Sequence, residues 1–204
     1  MAIVNKARNP GFFKVPVALV GIALVAAAFS GPAASESRNR ALERIVVKGM
    51  FSVDEGTRLQ RAFAAALQAG VDERDALTIV EACVSGEFDT PQAMRMLSIA
   101  SQLALEHLPV DGFIAKVEEG VSKRVAPDRV VQAAERRGLM LNKAKLILNA
   151  LVLQGLAIDD RDELISGLAA ALEAGRAPDE ARTIITEALQ SGERSGSIRR
   201  KLFP

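Results

Sequence analysis

The stretch FAAALQAG at positions 63–70 recurs as LAAALEAG at positions 168–175, and six of the eight residues are identical. An alignment with one inserted residue extends the identities downstream as far as positions 87 and 193, and it pairs Cys83 with Leu189. The sequence Ala-Pro-Asp occurs at 126–128 and again at 177–179. The aligned turns begin at positions 72, 126 and 177, which are 54 and 51 residues apart. This spacing predicts three helical hairpin units of about fifty residues that stack on their neighbours.

Between these turns the apolar residues recur at helical spacing, so the chain after its N-terminal segment is predicted to be all-α. Ser52 and Glu55 have the spacing of a capping box. Thr90 is predicted to cap a later helix, with Pro91 at its first position. In the longest predicted helix, Gly138 marks a weak point of the helical structure. The predicted helices cover residues 53–69, 73–85, 90–107, 111–123, 127–154, 160–174 and 178–191. The side chains predicted to face inward in the first two are Leu59, Phe63, Leu67, Leu77, Val80 and Val84.

The triplets Ala64–Ala66 and Ala169–Ala171 predict close approach of helix axes, because small side chains keep neighbouring helices near the lower end of the usual ~8–10 Å.

The N-terminal segment has the order of a secretory signal peptide: Lys6, Arg8 and Lys14, then the uncharged stretch 15–29, then small residues. Fifteen residues of helix span ~22 Å, which is less than the ~30 Å hydrocarbon core of a bilayer. Residues 1–30 are therefore predicted to be a cleaved signal peptide. The alternative is an uncleaved anchor in the inner membrane, formed by residues 12–29. In either case the body of the protein is expected outside the cytoplasm, in the periplasm or secreted.

The slight excess of basic residues in the full chain comes from this N-terminal segment. The full chain has 26 basic and 25 acidic residues, and all three bases of residues 1–30 leave with the signal peptide. A net charge near zero argues against nucleic acid as the partner. The predicted organisation is a signal peptide or anchor at 1–30, a linker and first helix at 31–52, a helical hairpin-repeat domain at 53–192 and a basic C-terminal tail at 193–204.

No catalytic, cofactor-binding or metal-binding residue is predicted, and no cofactor is expected. With one cysteine and one histidine, the chain lacks the residues of a Cys/His zinc site and of an internal disulfide. Cys83 is predicted to lie buried as a small hydrophobe, and His107 in the last turn of its helix, where the helix dipole favours a cation. The acidic cluster Asp159, Asp160, Asp162 and Glu163 fails the ligand spacing of a calcium loop and is expected at a helix start. Glu118 and Glu119 are adjacent, and adjacent helical residues do not face each other.

A basic surface is the candidate site for a partner. Residues 116–145 carry eight basic and four acidic residues, and three more basic residues lie near the C-terminus. Such a surface suits an anionic envelope component or an acidic protein, and a solvated helix face is the alternative. The candidate residues are Lys116, Lys123, Arg124, Arg129, Arg136, Arg137, Arg199, Arg200 and Lys201, with Lys143 and Lys145 in the same stretch.

The stretch LPVDGFIAKVEEGVSKRVAPDRVVQAAERR, residues 108–137, resembles segments of a loosely defined group of exported helical proteins of Gram-negative bacteria. The shared features are Leu-Pro-Val-acid, Lys-Val-x-Glu-Gly and Pro-acid-Arg-Val-Val. The resemblance implies a helical fold and an export route, and it implies no activity.

Two classes of function are consistent with these features. The first is a non-enzymatic helical scaffold of the cell envelope, which binds a protein or envelope partner through helix surfaces and touches the membrane only if the N-terminal segment stays uncleaved. The alternative is an envelope enzyme, or a subunit of one, that uses dispersed carboxylates.

Overall fold

A computed structural model describes residues 42–45 and 51–203. The predicted signal peptide or anchor lies outside these residues. Within the described part of the chain the secondary structure is α-helical without strands, which confirms the all-α prediction. After a helical turn at 42–45 come α1 (Val53–Gln68), α2 (Glu73–Ser85), α3 (Thr90–Leu105), α4 (Asp111–Ser122), α5 (Pro127–Leu153), α6 (Arg161–Glu173), α7 (Pro178–Gln190) and α8 (Ser195–Leu202).

One type of turn ends each of the first seven helices. After α1, Gly70 adopts φ +96°, its N–H donates to Leu67, and the next N–H, that of Val71, reaches back to Ala66 at 3.0 Å. This is the Schellman motif, which satisfies carbonyls left open at a helix C-terminus. The residues with positive φ in the seven turns are Gly70, Glu87, His107, Arg124, Gly155, Gly175 and Gly192. The residue after the left-handed position is buried in the first three turns, at Val71, Phe88 and Leu108, so these turns also contribute to the core.

The helix starts confirm one predicted cap and correct another. Ser52 accepts a hydrogen bond from the backbone N–H of Glu55, whose side chain accepts from the N–H of Ser52, as the capping box requires. The cap of α3 is Asp89, not Thr90. Asp89 accepts from the Gln92 N–H at 2.8 Å, and the Gln92 side chain accepts from the Asp89 N–H at 2.9 Å. Thr90 is therefore the first residue of the helix, and its side chain is buried.

Packing runs mainly between helices two apart in the first half of the molecule, where α1 contacts α3, α2 contacts α4 and α3 contacts α5. The chain then packs α6 against α5 and α8 against α6. The 27-residue α5 passes Gly138 without a break. Gly138 is itself buried, and the other buried positions, spaced alternately by four and three residues, are Val130, Ala134, Arg137, Leu141, Ala144, Leu148 and Leu151.

The three-helix groups α1–α3 and α6–α8 share several features. The helices α2 and α7 are both 13 residues long, and each lies 105 residues from its counterpart at both ends. The preceding turns contain Gly70 and Gly175, at φ +96° and +98°. In each group every helix contacts the other two. When the two groups are aligned by their helix bounds, no inserted residue is needed. This alignment pairs Cys83 with Ala188, and both are buried, whereas the alignment by identical residues paired Cys83 with the half-buried Leu189.

Several predicted positions differ from the structure. Leu67, Leu77 and Val84 are half-buried, whereas Leu59, Phe63 and Val80 are buried as predicted. Of the first alanine triplet only Ala66 is buried, so close packing through all three side chains is wrong there. The predicted tail at 193–204 contains the helix α8, and Ile198 and Leu202 anchor it in the core.

Candidate interaction surface

The outer side of α5 carries three exposed leucines, which we call the leucine row: Leu139, Leu146 and Leu153. Their side chains are 54%, 67% and 89% exposed. They are spaced by seven residues, so they follow one side of the helix over two heptads. Isolated apolar residues are common on protein surfaces, but a regular row on one helix is the arrangement found where a second helix packs.

The leucine row lies on the side of α5 that no other helix covers, because the buried positions occupy the opposite side. Near the end of α3, Leu105 is 65% exposed. Lys145 donates to the Glu106 carbonyl at 3.0 Å, which joins α5 to the end of α3. A shallow groove of about 230 Å³ between α3 and α5 includes Leu139 in its lining. Lys143 is exposed between the first two leucines.

The predicted basic surface is only partly available to a partner. Lys116 and Lys123 both bind the carboxylate of Glu119, at 3.1 and 2.5 Å. These two hydrogen bonds lower the pKa of Glu119. Its neighbour Glu118 takes no part in this cluster, so the adjacent glutamates do not form a carboxylate pair.

The C-terminal members of that surface are also engaged within the chain. Lys201 forms an ion pair with Glu193, and Arg199 lies 3.9 Å from Glu163. Arg200 is exposed on α8. Arg124 and Arg129 are exposed around the turn into α5. Arg136 is exposed and donates to the Glu173 carbonyl at 3.4 Å.

Arg137 does not belong to this surface, which corrects the prediction. Its side chain is 8% exposed, and it lies 3.4 Å from the carboxylate of Glu173 and 3.4 Å from the carbonyl oxygen of Ser166. Its Nε–H is buried without a partner. Gly112 makes room for the guanidinium, because a Cβ at that position would lie 2.9 Å from Nη2. Arg137 thus joins α4, α5 and α6 inside the molecule.

The cysteine is buried as predicted, and the histidine is not where it was predicted. Cys83 is fully buried, and this burial raises the pKa of its thiol to about 12. A thiol with so high a pKa is almost entirely protonated at neutral pH, so it is unreactive in the folded protein. His107 lies beyond α3 in the following turn, exposed and at φ +52°, rather than in the last helical turn.

The acidic cluster lies at the start of α6, as predicted. Asp160 caps the helix by accepting from the Glu163 N–H at 2.9 Å. Asp159 accepts from the N–H and the hydroxyl of Ser195 at the start of α8, and these bonds lower its pKa. The carboxylate of Asp159 therefore ties the start of α6 to the start of α8.

The described residues contain neither a cluster of metal-binding side chains nor a membrane-spanning helix. Among residues 42–45 and 51–203, no group of three His, Cys, Asp or Glu side chains could hold a metal ion. In that same part of the chain, none of the helices combines the length and apolarity needed to cross a bilayer. Comparisons with models of protein families, with curated proteins and with solved structures found no match.

The leucine row was missed in the sequence analysis although its signal is present. The three leucines are spaced by seven residues, but the row begins at the residue after Gly138, where the sequence analysis placed a weak point. Only a continuous helix puts the three side chains on one side. Once α5 is taken as unbroken, the alternating four- and three-residue spacing of its buried positions distinguishes the inner side from the leucine row.

Proposed function

We propose that this protein is an exported, non-enzymatic helical-repeat scaffold of the cell envelope that binds a protein partner through the leucine row on α5. The observation that carries the proposal is the exposure of Leu139, Leu146 and Leu153 along one side of a 27-residue helix. Helix-in-groove recognition uses this type of surface, in which apolar side chains at regular helical spacing anchor a partner.

The surroundings of the row favour a protein partner with both apolar and polar groups. Lys143 lies between leucines, Arg136 is exposed one turn before the first of them, and Leu105 lies on the adjacent helix. Protein interfaces commonly combine an apolar centre with a polar rim, and the rim contributes more to specificity than to affinity.

The repeat part of the proposal has its own support. The middle helices of the groups α1–α3 and α6–α8 are both 13 residues long, and in each group every helix contacts the other two. In repeat proteins each unit contacts its neighbours and the stack presents an extended surface. On this reading α5 lies between the two outer units and offers its free side to the partner. Export, with the protein in the periplasm or secreted, completes the proposal.

The experiment is affinity capture from envelope extract with the full chain and with Leu146→Glu and Leu153→Glu variants. We expect a protein to co-purify in constant ratio with the parent chain and to be lost with both variants. Because both leucines are exposed, the variants should keep the helical circular dichroism of the parent.

Gln132→Glu is the matched control, since Gln132 is exposed on the same side of α5, one heptad before Leu139. It adds the same charge outside the row and should retain the partner. Equal capture by all four chains would contradict a role for the leucine row.

A further inference from the structure

We propose that α6–α8 is a capping unit of the repeat array, whose outer side is closed to a further helix by its polar side chains. This inference rests on the repeat part of the proposed function. The groups α1–α3 and α6–α8 share a register that extends beyond α2 and α7. The helices α3 and α8 begin 105 residues apart, at Thr90 and Ser195, and the left-handed residues of the preceding turns, Glu87 and Gly192, keep the same distance. Each position from α2 to the start of α3 therefore has a counterpart 105 residues later.

The inward positions of the two groups agree in this register. Where α1–α3 buries a side chain in its interior, α6–α8 buries an apolar counterpart. The buried pairs are Ala76 with Ala181, Val80 with Ile185, Cys83 with Ala188 and Leu97 with Leu202. Because the interiors match, the same register can be used to compare the outer sides of the two groups.

In α1–α3 the outer side is apolar and covered. The helix α4 packs on α2, and α5 packs on α3. A Cβ at Gly86 would lie 2.7 Å from the ring of Phe88 and 2.9 Å from a methyl group of Val121 in α4, so α2, the turn after it and α4 meet at this point. Phe88 is 4% exposed and Met96 is fully buried. The helices that follow the first group thus pack on an apolar surface.

The counterparts of that surface in α6–α8 line a groove that is open in the part of the chain that the structure describes. This α7–α8 groove has a volume of about 290 Å³, and it is lined by Ile184, Glu187, Ala188, Ser191, Glu193 and Lys201. Four of these residues are polar where the first group is not: Glu187, Ser191, Glu193 and Lys201 are the counterparts of Ala82, Gly86, Phe88 and Met96. The outer side therefore changes from apolar to polar, whereas the inward positions stay apolar.

The polar residues of the groove satisfy one another. Lys201 forms an ion pair with Glu193 at 2.5 Å, and the hydroxyl of Ser197 donates to the same carboxylate at 2.9 Å. These two hydrogen bonds lower the pKa of Glu193, so it is charged at neutral pH. An apolar helix over the groove would remove this ion pair and the exposed Glu187 from water without offering them new partners, which is unfavourable.

Repeat proteins end in units of this kind. Each internal unit buries its apolar sides against two neighbours, and a capping unit carries a polar outer side that keeps the array soluble. The side chains of the α7–α8 groove give α6–α8 this property. A helical partner is therefore expected to bind elsewhere on the scaffold, and the leucine row on α5 keeps three exposed apolar side chains for it.

The test restores the residues of the first group and asks whether the groove then accepts the helix that packs on that group. The opened variant is the full chain with Glu187→Ala, Glu193→Phe and Lys201→Met. The probe is a dye-labelled synthetic peptide of residues 108–125, which contains the α4 sequence. In fluorescence anisotropy titrations, we expect the opened variant to bind the peptide at least tenfold more tightly than the parent chain, because an apolar groove can hold the apolar side of a helix.

A matched control places the same residue types on another surface. Lys116 and Glu119 form an exposed ion pair at 3.1 Å on α4, and Glu118 is exposed beside them. The variant with Glu118→Ala, Glu119→Phe and Lys116→Met should bind the peptide no better than the parent. Glu187→Ala with Lys201→Met, which leaves the turn residue Glu193 in place, should show a smaller gain than the opened variant. Circular dichroism establishes that each variant is folded.

Three results would overturn the capping unit. Tight binding of the peptide by the parent would mean that the groove is not closed. No gain in either groove variant would mean that the groove is not the counterpart of the surface beneath α4, and an equal gain in the control would reduce the effect to added apolar surface. None of these results depends on an envelope partner, so capture through the leucine row can succeed where the capping unit fails, and the reverse.

Discussion

The pair Arg137 and Glu173 allows a test of what the buried charge does for stability. The guanidinium is 8% exposed and the carboxylate 22% exposed, with 3.4 Å between them. An arginine offers five N–H donors, and here the bonds to Glu173 and to Ser166 are both long while Nε–H has no partner. The charge therefore bears much of its desolvation cost without full compensation. We expect removal of the carboxylate and removal of the guanidinium to have different effects on the free energy of unfolding.

Glu173→Gln should destabilise the protein because it leaves a buried cation without a counter-charge. Two unit charges ~4 Å apart attract by about 4 kcal/mol at an effective dielectric constant of ~20. The glutamine amide keeps a hydrogen bond worth about 1 kcal/mol, and the partial exposure of Glu173 reduces the loss further. We expect a loss of about 1–3 kcal/mol in the free energy of unfolding, less than the ~3–5 kcal/mol seen when fully buried pairs are broken.

Arg137→Met should be close to neutral or stabilising, because an apolar side chain of similar length fills the site without a charge to desolvate. Glu173 keeps access to water in this variant. The assay is urea unfolding followed by circular dichroism, since the chain has no Trp or Tyr for fluorescence. Losses above about 2 kcal/mol in both variants, with strong coupling in the double mutant, would refute the argument and make the pair a net stabilising unit.

Three further predictions concern single side chains. Gly138→Ala should raise the free energy of unfolding by about 0.5–1 kcal/mol, because the new Cβ fits at ordinary contact distance in a helix interior. Gly120→Ala should lower the free energy of unfolding, because its Cβ would lie 2.8 Å from a side-chain methyl. The midpoints of urea unfolding compare the two variants. Cys83 should react with a thiol reagent only after unfolding, given its burial and a pKa of about 12, and rapid labelling of the native protein would contradict its placement. The pKa of Asp159 is lowered in the folded protein by the hydroxyl of Ser195. Its stabilising effect is therefore present above its ordinary pKa of 3.8 and is lost as the pH falls through the lower folded value. Asp159→Asn should thus destabilise at pH 6, and its difference from the parent should shrink as the pH falls below 3.8; a constant difference would count against the titration.

Local signals in the sequence were sufficient for the helices. The capping box at Ser52 and the glycine at position 70 predicted both ends of α1 to within one residue. The cap of α3 was misassigned because Asp89 and Thr90 are both good capping residues. Gln92, three residues after Asp89, was the deciding signal, since its side chain completes the reciprocal bonds.

The register of burial was harder to predict than the helices. The alignment by identical residues required an inserted residue and paired Cys83 with Leu189. Such an alignment is ambiguous because alanine-rich helices have identical residues in several different registers. Packing follows helical periodicity instead, and on that criterion Cys83 matches Ala188. Arg137 was assigned to the surface with its basic neighbours because composition alone does not separate two faces of one helix. Its spacing from the buried Ala134 and Leu141 does.

The long helix α5 links the interior of the protein to its proposed partner. Its inner side carries Arg137, which reaches α4 and α6, and its outer side carries the leucine row. The two sides of α5 differ in their packing: the inner side is buried against other helices of the same chain, whereas the leucines of the outer side are more than half exposed. Substitutions in the leucine row should therefore change partner binding while leaving the fold intact, and Glu173→Gln should lower the stability of the fold while leaving partner binding unchanged. This separation makes binding through the leucine row testable without the ambiguity of an unfolded variant.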